Sequence, residues 1–181
     1  MKKLLVFLFV FLTLTLFCPK VSMARTHYIA LASASLNAGQ VTIQEDLRPK
    51  KLRNFLTEYN SPLLPYAQQL IYYADLYQLP WTLVVAISGV ESTFCHQIPR
   101  ASHNCWGWNN GKYAFKNYDR AIETVTKSIK LKYYDRGLNT PERMSRVYAP
   151  PSKTWAYKVR HYMNLIEKES ISDMLTEQFT L

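Results

Sequence analysis

Cysteine, glycine and acidic side chains are all scarce in this 181-residue chain. It has three Cys, five Gly and 13 Asp or Glu, against 22 Lys or Arg. So few cysteines exclude a disulfide-dense scaffold. No segment alternates apolar and polar residues over a strand's length, which argues against a sheet. There are no internal repeats, so a solenoid is excluded as well. No apolar run reaches the roughly 20 residues that a membrane-spanning helix needs. What the chain has in excess is base, a formal net charge of +9. Such an excess suits an anionic polymer, or serves solubility alone.

The start of the chain has the form of a secretory signal. Lys2 and Lys3 precede an uncharged run from Leu4 to Cys18, and Ser22-Met23-Ala24 supplies a small-residue exit. Cleavage after Ala24 is expected. At about 15 residues the run is too short for a bilayer span. A lipid anchor on Cys18 fits less well, because Phe17 is bulky where such sites carry a small residue. Cleavage leaves 19 basic against 13 acidic residues, a charge of +6, on a chain of one domain's length. The mature protein is expected in the periplasm or outside the cell, as a monomer without a membrane span.

Export also bears on the cysteines. Cys18 leaves with the signal, and Cys95 and Cys105 remain as an even number in an oxidising compartment. They are expected to pair. A zinc site from Cys95, His96, His103 and Cys105 is the rival, with suitable ligand types. Its spacing matches none of the usual ligand pairs, so neither a metal nor a cofactor is expected.

Four segments follow from composition and period: a signal over 1–24, an arm or linker over 25–60, a helical domain over 61–168 and a tail over 169–181. The stretch Leu47–Tyr59 is basic and compatible with a helix. Ser61-Pro62 opens a helix whose Ala67, Leu70, Ile71, Ala74 and Tyr77 fall on one side. A second starts near Pro80-Trp81, with a buried stripe of Leu83, Ile87, Val90 and Phe94. Residues 96–116, with Pro, Gly and several Asn, read as a long loop. A third helix follows Tyr118, with Ile122, Val125 and Ile129 inward and Gly137 as its stop. Thr140-Pro141-Glu142 opens a fourth. Ser152 caps a last one that buries Trp155, Val159, Tyr162 and Ile166. The expected fold class is a compact all-α domain with a long active-site loop.

Glu91 breaks the pattern. It falls four residues after Ile87 and seven after Val84, so a helix places it on their side. Burial there disfavours the charged carboxylate and raises its pKa. A carboxyl still protonated near neutral pH can act as a general acid. The plain alternative is a helix-end Glu turned to water or paired with a base such as Lys132. The loop beyond it is crowded with Asn104, Trp106, Gly107, Trp108, Asn109, Asn110 and Tyr113. Flat aromatic faces stack on sugar rings, and amides hydrogen-bond hydroxyl and N-acetyl groups. Of the two tryptophans, one is expected in the core and one in the cleft. A Cys95–Cys105 bridge would fix this loop relative to Glu91.

These residues also carry a resemblance. The segment Ile87-Ser88-Gly89-Val90-Glu91-Ser92-Thr93-Phe94 resembles the Glu-Ser-x-Phe signature of lytic transglycosylases and related lysozyme-like enzymes. Asn104-Cys105-Trp106-Gly107-Trp108, Ala121-Ile122-Glu123-Thr124-Val125 and Tyr148-Ala149-Pro150-Pro151-Ser152 with Trp155 look like the N-acetylglucosaminidase-type branch. The resemblance spans about residues 62–168. It implies a lysozyme-like fold, a peptidoglycan substrate, Glu91 as acid/base, Ser92 supporting the carboxylate and Tyr148 near the reacting sugar. With the aromatic and amide side chains of the loop, the expected sugar-binding set is Ser92, Asn104, Trp106, Trp108, Asn109 and Tyr113. One departure is that Trp106-Gly107-Trp108-Asn109 replaces the Gly-Leu-Met-Gln segment usual in transglycosylases, which leaves open hydrolysis or anhydro-ring formation. Two other classes compete: a non-catalytic glycan binder of the same fold, and a basic nucleic-acid or membrane-surface binder. A pure binder has no reason to place a carboxylate beside an apolar stripe. No basic helix face or nucleic-acid motif supports the other.

Overall fold

The computed structural model describes residues 45–170. The expected signal, the arm up to residue 44 and the tail from 171 lie outside the described residues. The described chain is all-α, with six α-helices and no strand among the described residues. They are α1 (Arg48–Glu58), α2 (Ala67–Leu76), α3 (Leu83–Ser92), α4 (Tyr118–Lys132), α5 (Pro141–Tyr148) and α6 (Trp155–Lys168). Single 3₁₀ turns precede α2 at Leu64–Tyr66 and follow α4 at Tyr134–Arg136.

The apolar α3 is the centre of the fold. Every residue from Leu83 to Gly89 is buried, so the expected one-sided stripe is in fact a helix enclosed all round. Val90 is the exception, packed only in part. Its main partner is α6, on which α5 also packs, while α2 lies against α4 and α1. Amphipathic surface helices close the shell: α4 buries Ile122, Val125 and Ile129, and α6 buries Trp155, Val159 and Ile166.

The arm expected over 25–60 does not extend to 60. Helix α1 buries Leu52, Phe55 and Leu56, so residues 48–58 belong to the folded unit. Basic residues concealed this, because they occupy its outer face while three side chains at helical spacing face inward. Lys51 Nζ donates to the Glu167 carbonyl at 2.8 Å, satisfying an open acceptor in the last turn of α6. Phe55 meets Phe94 edge-on at 5.3 Å.

Local chemistry sets the helix ends. Asn117 and Thr140 accept hydrogen bonds from Arg120 N and Arg143 N, capping α4 and α5. The expected caps at Ser61 and Ser152 differ in detail. Ser61 Oγ accepts from Leu63 N ahead of a 3₁₀ turn, and Ser152, two residues before the true N-cap Thr154, accepts from Trp155 N through its Oγ. Gly137 ends the 3₁₀ turn rather than α4 itself.

After Ser92 the backbone turns left-handed over three non-glycine residues, Thr93, Phe94 and Cys95, with φ of 52°, 53° and 74°. That conformation is costly for residues with a Cβ and persists only where its surroundings enforce it. Here it folds Phe94 back under α3. A Cβ on Gly89 would lie 2.5 Å from Phe94 Cζ and 3.1 Å from Tyr162 Cδ2. Gly89→Ala is therefore expected to destabilise the protein. Overpacking a locked ring costs about 1–3 kcal/mol, against at most about 1 kcal/mol gained in helix propensity. Thermal unfolding checks this, and a melting temperature at or above that of the parent would contradict it.

Candidate active site

Glu91 stands in the last turn of α3, partly buried. Its Oε1 accepts a hydrogen bond of 2.7 Å from the Trp155 indole N–H at the start of α6. Its Oε2 lies against Gly107, where a Cβ would approach to 2.9 Å. Glu91 forms no ion pair among the described residues, and Lys132, the candidate partner, sits elsewhere. Burial raises the Glu91 pKa above the usual carboxylate range, and the Trp155 hydrogen bond opposes this in part.

Around this pair the side chains interlock. Tyr148, at the end of α5, stacks on Trp155 with ring centres 4.9 Å apart and planes 27° apart. Its hydroxyl donates to the Trp106 carbonyl at 2.6 Å. Tyr148 as a residue is half-buried, and its hydroxyl is enclosed. Burial, with the nearby Glu91 charge second, pushes its pKa well above the usual phenol value. Tyr148 is therefore a neutral donor tying the loop to α5.

The Cys95–Cys105 disulfide closes this loop, with Cα atoms 4.7 Å apart. A ten-residue bridge contributes roughly 2–3 kcal/mol. It also leaves no thiolate for the zinc alternative. His96 Nε2 lies 2.8 Å from the Tyr59 carbonyl and His103 Nδ1 lies 3.0 Å from that of Phe115.

Next to Glu91 opens a cavity of about 480 Å³. Trp108, Asn109, Asn110, Tyr113, Lys132 and Tyr148 line it over an apolar floor of Val125 and Ile129. Glu91 is not part of that lining. Gly107 both lines the cavity and touches the carboxylate, so the acid stands at the cavity's edge. The two tryptophans divide as expected. Trp106 is 1% exposed and its indole donates to the Val84 carbonyl at 2.8 Å, whereas Trp108 faces the cavity with Lys132 Nζ 4.9 Å from its ring centre.

Three of the expected ligand contacts have hydrogen-bond partners within the protein. Ser92 does not reach the Glu91 carboxylate. Its hydroxyl lies 2.9 Å from the Cys105 carbonyl and 3.1 Å from that of Ser88, and accepts from Cys95 N, bracing the disulfide against α3. Asn104 is buried and spends its amide on the loop, donating to the Trp108 and Tyr113 carbonyls and accepting from Trp108 N. Trp106 is buried with its indole N–H bonded to the Val84 carbonyl, and it also forms part of the cavity wall. Of the expected sugar contacts, Trp106, Trp108, Asn109 and Tyr113 line the cavity.

Trp155 and Lys132 are the residues that the pattern did not single out as part of the site. Trp155 had a legible signal, since a buried indole N–H needs an acceptor and a buried carboxylate needs a donor. Trp155→Phe keeps an aromatic ring on Tyr148 but removes the donor to Glu91. The carboxylate then loses an interaction that favours its charged form, so the Glu91 pKa is expected to rise further. Carbon NMR titration of the Glu91 carboxyl measures it, and an unchanged or lower pKa would refute the assignment.

The chain matches no protein-family model, and a comparison with curated proteins returns no match.

Proposed function

We propose that the protein is an exported glycosidase that cleaves the β-1,4-linked glycan of peptidoglycan, with Glu91 as its single essential carboxyl group. The observation that carries this reading is a half-buried acid, without a counter-ion among the described residues, at the rim of a cavity walled by aromatic rings and amides. Apolar walls with a few placed polar groups suit a sugar chain. A raised pKa favours the protonated carboxyl, the form that can donate to a leaving oxygen. The resemblance of Glu91-Ser92-Thr93-Phe94 to lysozyme-like enzymes supports the same substrate. A disulfide fits an oxidising compartment, and no described helix is long and apolar enough to cross a membrane.

A two-carboxylate glycosidase holds its acids about 5–9.5 Å apart across the bond. The nearest acids along the chain after Glu91, Asp119 and Glu123, lie on α4 and are not among the cavity's lining residues. Glu123 pairs with Arg120 at 2.8 Å. In this mechanism Glu91 gives its proton to the glycosidic oxygen as the C1–O bond breaks. The substrate's own N-acetyl carbonyl oxygen bonds to C1. Water then displaces it, and the proton released by the water returns to Glu91. The runner-up has the sugar's 6-hydroxyl close an anhydro ring, consuming no water.

Purified sacculi digested with the protein test both the reading and the chemistry. Borohydride-reducible N-acetylglucosamine ends, with Asp119→Asn and Glu123→Gln still active, are expected. Anhydro-muramic ends would select the runner-up. Loss of activity in either folded variant would require a second carboxylate. Sacculi left intact by the unaltered protein would overturn the enzyme reading in favour of a glycan binder.

A further inference from the structure

We infer that the sugar seated in the cavity bears a carboxylate beside Trp108, and that Lys132 recognises it. This rests on the glycan reading above and adds the charge of the group that the site selects. Among the described residues, Lys132 is the one cation of the cavity wall, and no Asp or Glu lines the cavity with it. It ends α4, where a basic residue also favours the helix dipole. Two residues earlier, however, Lys130 already fills such a structural role, paired with Asp135 at 3.0 Å. Lys132 instead holds its ammonium over the Trp108 ring and makes no ion pair among the described residues.

A ring face attracts an ammonium weakly where water has access. A carboxylate offers a charge-assisted hydrogen bond, which is much stronger. A ligand carboxylate therefore draws Lys132 off the ring and frees that face for the sugar to stack on. The rest of the wall, Asn109, Asn110 and Tyr113, is neutral and suits hydroxyl and amide groups. The ligand chemistry is thus a sugar with one anionic substituent. In wall glycan that carboxylate belongs either to the lactyl ether, once the peptide is removed, or to the stem peptide.

Calorimetry on the Glu91→Gln protein, which binds without turnover, separates the cases. Three probes serve: neutral chitotetraose, glycan strands stripped of stems, and strands with stems. Lys132→Met keeps the alkyl stem over Trp108 and removes the charge. It is expected to raise the ratio of charged-probe Kd to chitotetraose Kd about tenfold or more, as one charged hydrogen bond requires. Lys132→Arg is expected to restore the ratio, and Lys127→Met, a charge change on α4 outside the cavity wall, to leave it unaltered. A shift confined to stem-free strands assigns the lactyl carboxylate, which is an uncharged amide where a stem is attached. One confined to stem-bearing strands assigns the stem, and one seen with both shows that Lys132 accepts either carboxylate. An unchanged ratio in Lys132→Met, or an equal change in Lys127→Met, would overturn the inference while leaving the glycan reading intact. Failure to bind any of the three probes would overturn both.

Discussion

Glu91→Gln is expected to abolish wall degradation while leaving the helical fold intact. Gln keeps the shape and accepts the Trp155 hydrogen bond, yet it has no proton to deliver. Loss of general acid catalysis reduces rates by about 10²–10⁴-fold. Stability moves the other way, and the sign follows from the raised pKa. The folded state holds the Glu91 proton more tightly than the unfolded chain does. Its carboxylate therefore costs the fold nothing below the unfolded carboxyl pKa. That cost sets in as pH rises towards and through the raised folded value. Gln carries no charge at any pH. Near neutral pH the variant is expected to melt no lower than the parent, with the difference vanishing under acid. Activity of the unaltered protein is expected to fall as pH rises through the same pKa. Lysis of purified sacculi, paired with thermal unfolding from pH 4 to 8, measures both effects. A variant within a few-fold of parental activity would place the acid elsewhere.

Gly107→Ala is expected to have the next largest effect. At φ +64° a residue with a Cβ carries a backbone cost of about 1–2 kcal/mol. The new methyl group would also sit 2.9 Å from Glu91 Oε2, while Oε1 is held by Trp155. The carboxyl must then swing off its indole donor, or the loop must lift. Displacing a catalytic group by about 1 Å costs about 100-fold in rate. Gly111 supplies the control. It has φ +75° in the same loop, and nothing lies within 4 Å of a Cβ placed there. Gly111→Ala carries the backbone cost without touching Glu91. The expected result is similar destabilisation in both variants and a rate loss confined to Gly107→Ala. Equal rate losses would mean that loop strain, not contact with the acid, governs the site.

The two glycines also mark where sequence pattern stops being informative. Helical spacing around Ala67–Ala74, Ile122–Ile129 and Trp155–Ile166 places those helices and their inward faces, because amphipathic period is a local property of the chain. Glu91 stands out on the same basis, as a carboxylate on the side of Ile87 and Val84. Cys95 and Cys105 are matched by count, as the pair that remains once Cys18 leaves with the expected signal. The structure brings them together.

Patterning fails where a residue's partner is distant along the chain. Helix α1 reads as part of a basic arm because its burial depends on distant groups: α2, α6 and Phe94, which sits in the left-handed turn after Ser92. Asn104 and Ser92 resemble ligand contacts because amides and hydroxyls near an acid usually serve that purpose. Both are instead consumed in satisfying buried backbone groups of the loop, an obligation that appears only once the loop is closed. The sequence by itself determined the all-α class, the half-buried acid and the aromatic, amide-rich loop, since each depends on local periodicity and residue type. Only the tertiary structure decided that Trp155, 64 residues away, holds the Glu91 carboxyl, and that Lys132 covers Trp108 instead of pairing with the acid. Those choices depend on which groups meet when α3, α4 and α6 pack, and hydrogen bonds between such groups leave no period along the chain.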